Sequence, residues 1–178
     1  MGNSGYSILN IRLNSIEIEI GKSIANKRYA QNRAKNVKNT LLVKTKKEKI
    51  ALDIEGVLSE MAFCKIAQIY PSEVFDVGVR SKKNGKDAGD AFYEGIAIDV
   101  KSTKTQTGRL ISMFDNKDVD YYALMIGEEG KYNLVGLMKS KDLCVKERWG
   151  HHGVFKKPCF KAEQNELLSW DKFVKNNT

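Results

Sequence analysis

The chain has 178 residues, 42% of them hydrophobic and 29% charged, with a formal net charge of +8. That length favours one domain with an appendage over two full domains, and the apolar fraction excludes wholesale disorder. The longest apolar runs are a few residues, far short of the ~20 that span a bilayer, and no secretory pattern opens the chain, so no membrane association is expected.

Cys64, Cys144 and Cys159 make an odd number with no Cys-x-x-Cys spacing. With no export signal, the expectation is a reducing, cytoplasmic compartment, that of the host cell for a viral chain. The positive charge is local. Residues 22–49 hold ten Lys/Arg and one Glu, whereas residues 50–178 hold 19 basic and 19 acidic residues. A cationic segment of this kind points to a polyanionic partner, nucleic acid above all.

In chain order, the alternation Ile16, Ile18, Ile20 with Glu17 and Glu19 between predicts a short strand or docking arm. Residues 22–38 predict a helix with a thin apolar stripe of Ala25, Tyr29, Ala34 and Val37, too narrow to bury it deeply. Its cations, Lys27, Arg28, Arg33, Lys35 and Lys38, form a solvated face, or belong to a nucleic-acid-facing or dimer-forming arm. Residues 1–49 are therefore assigned to a basic arm and residues 50–178 to the main domain. Residues 50–69 predict a helix that is apolar nearly all round, hence buried. Strands are expected at Val74–Val79, Ala91–Tyr93, Ile96–Val100, Tyr121–Ile126 and Tyr132–Met138, with hairpin turns at Glu94-Gly95 and 127–131. Residues 103–119 are polar and allow a short helix; another is expected at Gln164–Val174. The order indicates an α/β or α+β fold, a mixed sheet covered by the 50–69 helix.

The informative stretch is 86–101. Strand alternation places Asp99 and Lys101 on one face and Ile96, Ile98 and Val100 on the other. Closing the hairpin on Glu94-Gly95 opposes Tyr93 to Ile96, Phe92 to Ala97, Ala91 to Ile98 and Asp90 to Asp99. Two carboxylates so placed, ~5 Å apart at Cβ, repel unless a cation sits between them. Mg²⁺ is such a cation, held by one or two carboxylates plus water and phosphate oxygens. Lys101 stands ready to orient a nucleophile or offset phosphate charge. The competing reading is an ordinary surface ion pair. Glu60, in the apolar helix, is costly to bury unless paired or coordinated, and Gly56 shares its helix face.

Gly56-x-x-x-Glu60, Asp90 and Asp99-Val100-Lys101 resemble the PD-(D/E)xK nuclease superfamily, the restriction-endonuclease-like fold, over roughly residues 50–138. Asp99 to Thr103 with Asp120 to Leu124 look most like its small phage or mobile-element members. The resemblance implies that Asp90, Asp99 and the Val100 carbonyl ligate Mg²⁺ (or Mn²⁺), that Lys101 positions the attacking water, and that Glu60 completes the site or binds a second ion. It implies that Ser102, Thr103, Lys104 and Arg109 face the phosphate backbone, an ordinary polar loop being the alternative. Two departures stand out: Gly89 replaces the family's Pro before the first Asp, and Asp87 competes with Asp90 for that Asp position.

The expectation is thus a Mg²⁺-dependent DNA endonuclease on duplex or branched DNA, including Holliday-junction resolvase types, working as a homodimer. The alternatives are a nuclease-fold protein that binds nucleic acid without cutting it, and a protein-interaction domain with a basic arm. Cys144, His151, His152 and Cys159 have a symmetric look, but their spacing departs from the usual structural zinc patterns.

Overall fold

The computed structural model describes residues 9–34, 45–75, 89–113, 115, 118–152 and 157–177, with Asn32 and Arg33 described by backbone alone. Strand β1 (Leu9–Arg12) leads into helix α1 (Ser15–Ala34), and α2 (Lys46–Ala67) follows, with one helical turn, α3 (Ser72–Phe75), beyond it. The hairpin β2 (Ala91–Tyr93) and β3 (Ile96–Thr103) is followed by β4 (Leu110–Ser112), β5 (Tyr121–Glu128) and β6 (Lys131–Lys139). The chain closes with α4 (Ser140–Leu143), a 3₁₀ turn (Lys146–Arg148), β7 (Trp149–Gly150), β8 (Cys159–Ala162), a second 3₁₀ turn (Gln164–Glu166) and α5 (Trp170–Asn177).

The main sheet has the order β1-β6-β5-β3-β2, antiparallel except for the parallel pair β3–β5. A smaller sheet, β4-β8-β7, forms a separate hydrogen-bonded ladder. Each face of the main sheet carries its own core. On one side Ile98, Val100, Ala123 and Met125 pack with Val57, Leu58, Met61 and Phe63 of α2 and Phe173 of α5. On the other, Tyr122, Leu124, Ile126 and Met138 pack with Leu110, Leu143 and Ala162 under the small sheet. The protein is mixed α+β, a mixed sheet flanked by helices. Among the described residues no helix is long and apolar enough to cross a membrane.

Helix α2 matches its expected span and starts four residues earlier, because Thr45 and Glu48 form a reciprocal capping box: Glu48 N–H donates to Thr45 Oγ1 at 3.2 Å and Thr45 N–H to Glu48 Oε2 at 3.0 Å. Such a cap satisfies two otherwise orphaned donors.

The expected strand at residues 16–20 is helical instead. Asn14 and Glu17 make the same reciprocal pair, at 2.9 and 2.6 Å, so the cap starts α1 at Ser15. Ile16 and Ile20 then stand one turn apart on an exposed face, while Ile18 packs toward the core. Val74–Val79 differs as well: Val74 is buried in the α3 turn, and residues 76–79 lie outside the described residues. No helix occurs among the described residues of 103–119; β4 stands there, paired with β8.

Residues 9–34 share the core of the main domain. β1 pairs with β6, and Leu13, Ile24 and Ala25 are buried among α2 side chains. The expected boundary after residue 49 falls inside α2. Trimming the arm there would remove a strand and part of the core together with its cations.

Candidate functional site

The β2–β3 hairpin has three of the four expected pairs, Tyr93 with Ile96, Phe92 with Ala97 and Ala91 with Ile98; the fourth, Asp90 opposite Asp99, is not a strand pair. Glu94 (φ 49°) and Gly95 (φ 80°) are both left-handed, the combination of a type I′ turn, whose twist matches that of the strands. Just before β2, Asp90 N–H donates to Ile98 O and Asp90 Oδ2 accepts from Val100 N–H, both at 2.8 Å. The carboxylate thus takes the place of a strand carbonyl and lies along the β3 edge. Gly89 precedes it at φ +84°, and a Cβ there would meet Ile98 O at 2.9 Å. Proline, locked near φ −65°, cannot adopt this turn.

Asp99 and Lys101 project to the face opposite α2. Their neighbours in parallel register are Tyr122 and Leu124, both of the second core. Lys101 Nζ lies 2.6 Å from Asp99 Oδ1 and 5.8 Å from the centre of the Tyr122 ring. The approach is oblique: Asp99 Oδ1 is buried and accepts no well-directed hydrogen bond. Burial and the charge of Asp90 push the Asp99 carboxyl up to about 7, with Lys101 pulling the other way. Burial lowers the Lys101 amine, but Asp99 and Asp90 outweigh it, and the net shift is upward. Two carboxylates, Asp90 and Asp99, thus stand close enough to Lys101 to act on its amine.

Stability should depend on pH accordingly. A carboxyl whose folded value is raised from 3.8 to about 7 keeps its proton in the folded state when the unfolded chain has lost it. That contribution is neutral below the unfolded value, and stability falls as pH rises from about 4 to 7. In EDTA, Asp99→Asn should match the wild-type melting temperature near pH 4 and exceed it at pH 8, by ~2–4 °C for each kcal/mol of repulsion relieved. Equal melting temperatures at both pH values would contradict the strain assigned to Asp99.

Glu60 is buried, at 8% exposure, on α2, which packs on the other face of the sheet. Its Oε2 is 2.8 Å from Arg28 Nη1, and Arg28 Nη2 donates to Val74 O at 3.0 Å and Glu73 O at 3.3 Å. Arg28, expected to face nucleic acid, here ties α1 to α2 and α3. The structure brings Asp90, Asp99 and Lys101 together, while Glu60 is engaged by Arg28. Among the described residues no three His, Cys, Asp or Glu side chains assemble as a metal-ligand group. Asp90 lies between the two faces, and its charge also reaches α2: the buried Cys64 thiol is pushed up to about 12 by burial, with Glu60 and Asp90 adding to the shift.

Of the other expected contacts, Lys27 and Ser102 are exposed. Thr103 Oγ1 accepts from Thr105 N–H at 3.3 Å, Lys104 pairs with Glu128 at 2.9 Å, and Arg109 pairs with Glu163 at 2.8 Å. The Arg33 side chain, Lys35, Lys38 and Asp87 lie outside the described residues. Cys159 is buried, Cys144 half-buried and His151 exposed, and His152 Nε2 lies 3.4 Å from Arg148 O.

Two further residues shape the site beyond those expected from sequence. Tyr122 forms the floor under Lys101. Asp120 staples β3 to β5 and α4: its Oδ2 accepts from Ala97 N–H, its N–H donates to Ala97 O, and its carbonyl accepts from Ser140 N–H. The Asp-Tyr-Tyr opening of β5 is the one sequence signal for both.

No protein-family model, curated protein or solved structure matches the chain. The chemistry of the site must stand on its geometry. Two adjacent carboxylates, the buried Asp99 Oδ1 and the Val100 carbonyl, which points to the same edge as the Val100 N–H held by Asp90, fit a hard divalent cation that completes its shell with water.

Proposed function

We propose that the chain is a divalent-metal-dependent phosphodiesterase of the PD-(D/E)xK type, an endonuclease acting on duplex or branched DNA with Mg²⁺, replaceable by Mn²⁺. The observation that carries this reading is the cluster of Asp90, Asp99 and Lys101, two carboxylates and one amine gathered at one strand edge. A cation bound there supplies Lewis-acid activation of water and neutralises phosphate charge. Asp90 and Asp99 would hold it with the Val100 carbonyl. Lys101, kept cationic by both acids and seated over Tyr122, would orient the attacking water and meet the phosphate.

The element order also supports the restriction-endonuclease-like reading. A core helix precedes a β2–β3 hairpin, and β5 runs parallel to β3. The crossover between them passes through β4 instead of a helix, the clearest departure from that fold's order. The pairing of Glu60 with Arg28 favours a site built on Asp90 and Asp99, with Glu60 as a structural acid. The basic segment 22–49 would supply phosphate contacts through exposed cations such as Lys27, and a homodimer would present two such sites.

The test is incubation with supercoiled plasmid and with a four-way junction, in Mg²⁺, Mn²⁺ or EDTA. Metal-dependent nicking supports the enzyme, and preference for the junction supports the resolvase type. Tight, salt-sensitive binding without cleavage in either metal across several pH values would make the chain a nucleic-acid-binding protein of this fold. Absence of binding at low salt would leave the protein-interaction reading.

A further inference from the structure

We infer that Trp149 is a stacking platform for an unpaired base, and that the β7 edge of the small sheet binds single-stranded nucleic acid or an unpaired base within a larger DNA. The inference goes beyond the hydrolytic site and does not depend on cleavage. Most large aromatic rings of this protein are folded into its cores. Trp170 packs on Phe63, Tyr93 and Phe173, with ring centres 5.8, 5.2 and 5.3 Å apart. Trp149 differs from Trp170: it is 44% exposed and its ring is backed by Phe160 at 4.6 Å, an arrangement shared only in part by the smaller ring of Tyr70 on Phe75 at 5.5 Å. A large apolar ring held by a second ring yet open to water is preorganised to receive a flat partner.

What that partner is follows from charge. Lys146 and His151, three residues before and two after Trp149, are exposed, as is Lys157, two residues before β8. Neither lysine forms an ion pair among the described residues, and one exposed acid, Glu147, stands among them. Arg148 supports the platform: its Nη2 pairs with Glu166 at 2.9 Å, and its Nε donates to Asp142 O at 3.0 Å. An aromatic face bordered by cations matches the base-and-phosphate repeat of a single strand, where stacking is sequence-tolerant because every base has a π-face.

The platform sits on strands paired through β8 to β4, and β4 follows directly from the strand that carries Asp99 and Lys101. Unpaired bases occur at the branch points and nicked ends that a structure-specific nuclease meets, so the platform would select such sites.

The experiment is titration of the full chain in EDTA with a thymidine oligonucleotide, followed by tryptophan fluorescence. The chain has two tryptophans, Trp149 and Trp170. The oligonucleotide is expected to quench wild-type emission, and Trp149→Leu to remove that quenching and weaken binding about tenfold. Heparin, a polyanion without bases, should bind both forms alike. Unchanged oligonucleotide affinity in Trp149→Leu, or an equal loss toward heparin, would overturn the platform. So would Trp149-dependent binding to anionic lipid vesicles without binding to the oligonucleotide. Cleavage is read separately: quenching by a protein that cuts nothing in Mg²⁺ or Mn²⁺ would sink the nuclease reading and leave this one standing.

Discussion

Lys101→Ala and Asp99→Asn are each expected to slow metal-dependent plasmid nicking by about 10²–10⁴-fold, the range for removing a positioned acid–base group. The two variants should fail differently. Asp99→Asn removes a carboxylate that is already strained by Asp90, so the fold survives and metal binding suffers. Lys101→Ala leaves both acids in place and removes the cation that faces Asp99 at 2.6 Å. It should keep metal binding and lose rate. Lys139→Ala, whose ammonium lies over Tyr121 on a neighbouring strand, is the charge-matched control and should cut normally. Melting curves run beside the cleavage assay separate loss of chemistry from loss of fold. Wild-type rates in both site variants, with a folded protein, would refute the assignment of Asp99 and Lys101.

Arg28→Ala is expected to lower unfolding stability by ~3–5 kcal/mol, because it leaves a buried carboxylate without its partner. The pair is well shielded, with side-chain exposures of 18% for Arg28 and 11% for Glu60. Arg28 also serves two carbonyls near α3, so its removal frees several helix contacts at once. Glu60→Gln, which keeps the shape and abolishes the charge, should cost less. It also separates two roles for Glu60. As a structural acid, its loss lowers urea midpoints while folded protein retains its rate. As a metal ligand, its loss would abolish cleavage with little effect on stability. The ion pair with Arg28 is the observation that favours the first outcome.

The parts of the site that sequence reveals are those set by short-range geometry. A period of two in β3 puts Asp99 and Lys101 on one face. The two-residue turn then fixes the pairs Tyr93–Ile96, Phe92–Ala97 and Ala91–Ile98, while Asp90, beyond the last of them, is held through Ile98 O and Val100 N–H instead of by strand pairing with Asp99. Helix α2 is legible for a similar reason: its apolar residues run nearly all round, and its cap lies within four residues of its start.

Local signals can also conflict. The alternation of Ile16, Ile18 and Ile20 suggests a strand, but Asn14 and Glu17 cap a helix, and the helix forms because α2 supplies a surface for Ile18, Ile24 and Ala25. The small sheet escapes sequence reading because β4, β7 and β8 are three, two and four residues long. Strands so short carry too little alternation to be recognised.

By itself, then, the sequence determined the hairpin from Ala91 to Ile98, the placement of Asp99 and Lys101 on one face, the buried central helix and the location of the excess charge. All of these follow from spacing along a single element or across one turn. Tertiary structure alone decided what the long-range partners are. Glu60 meets Arg28 across 32 positions of sequence, and Lys101 rests on Tyr122 through parallel pairing that no turn specifies. The basic segment proved partly structural for the same reason: a cation in sequence becomes a DNA contact or an internal tie only when packing decides which carboxylate, if any, stands beside it.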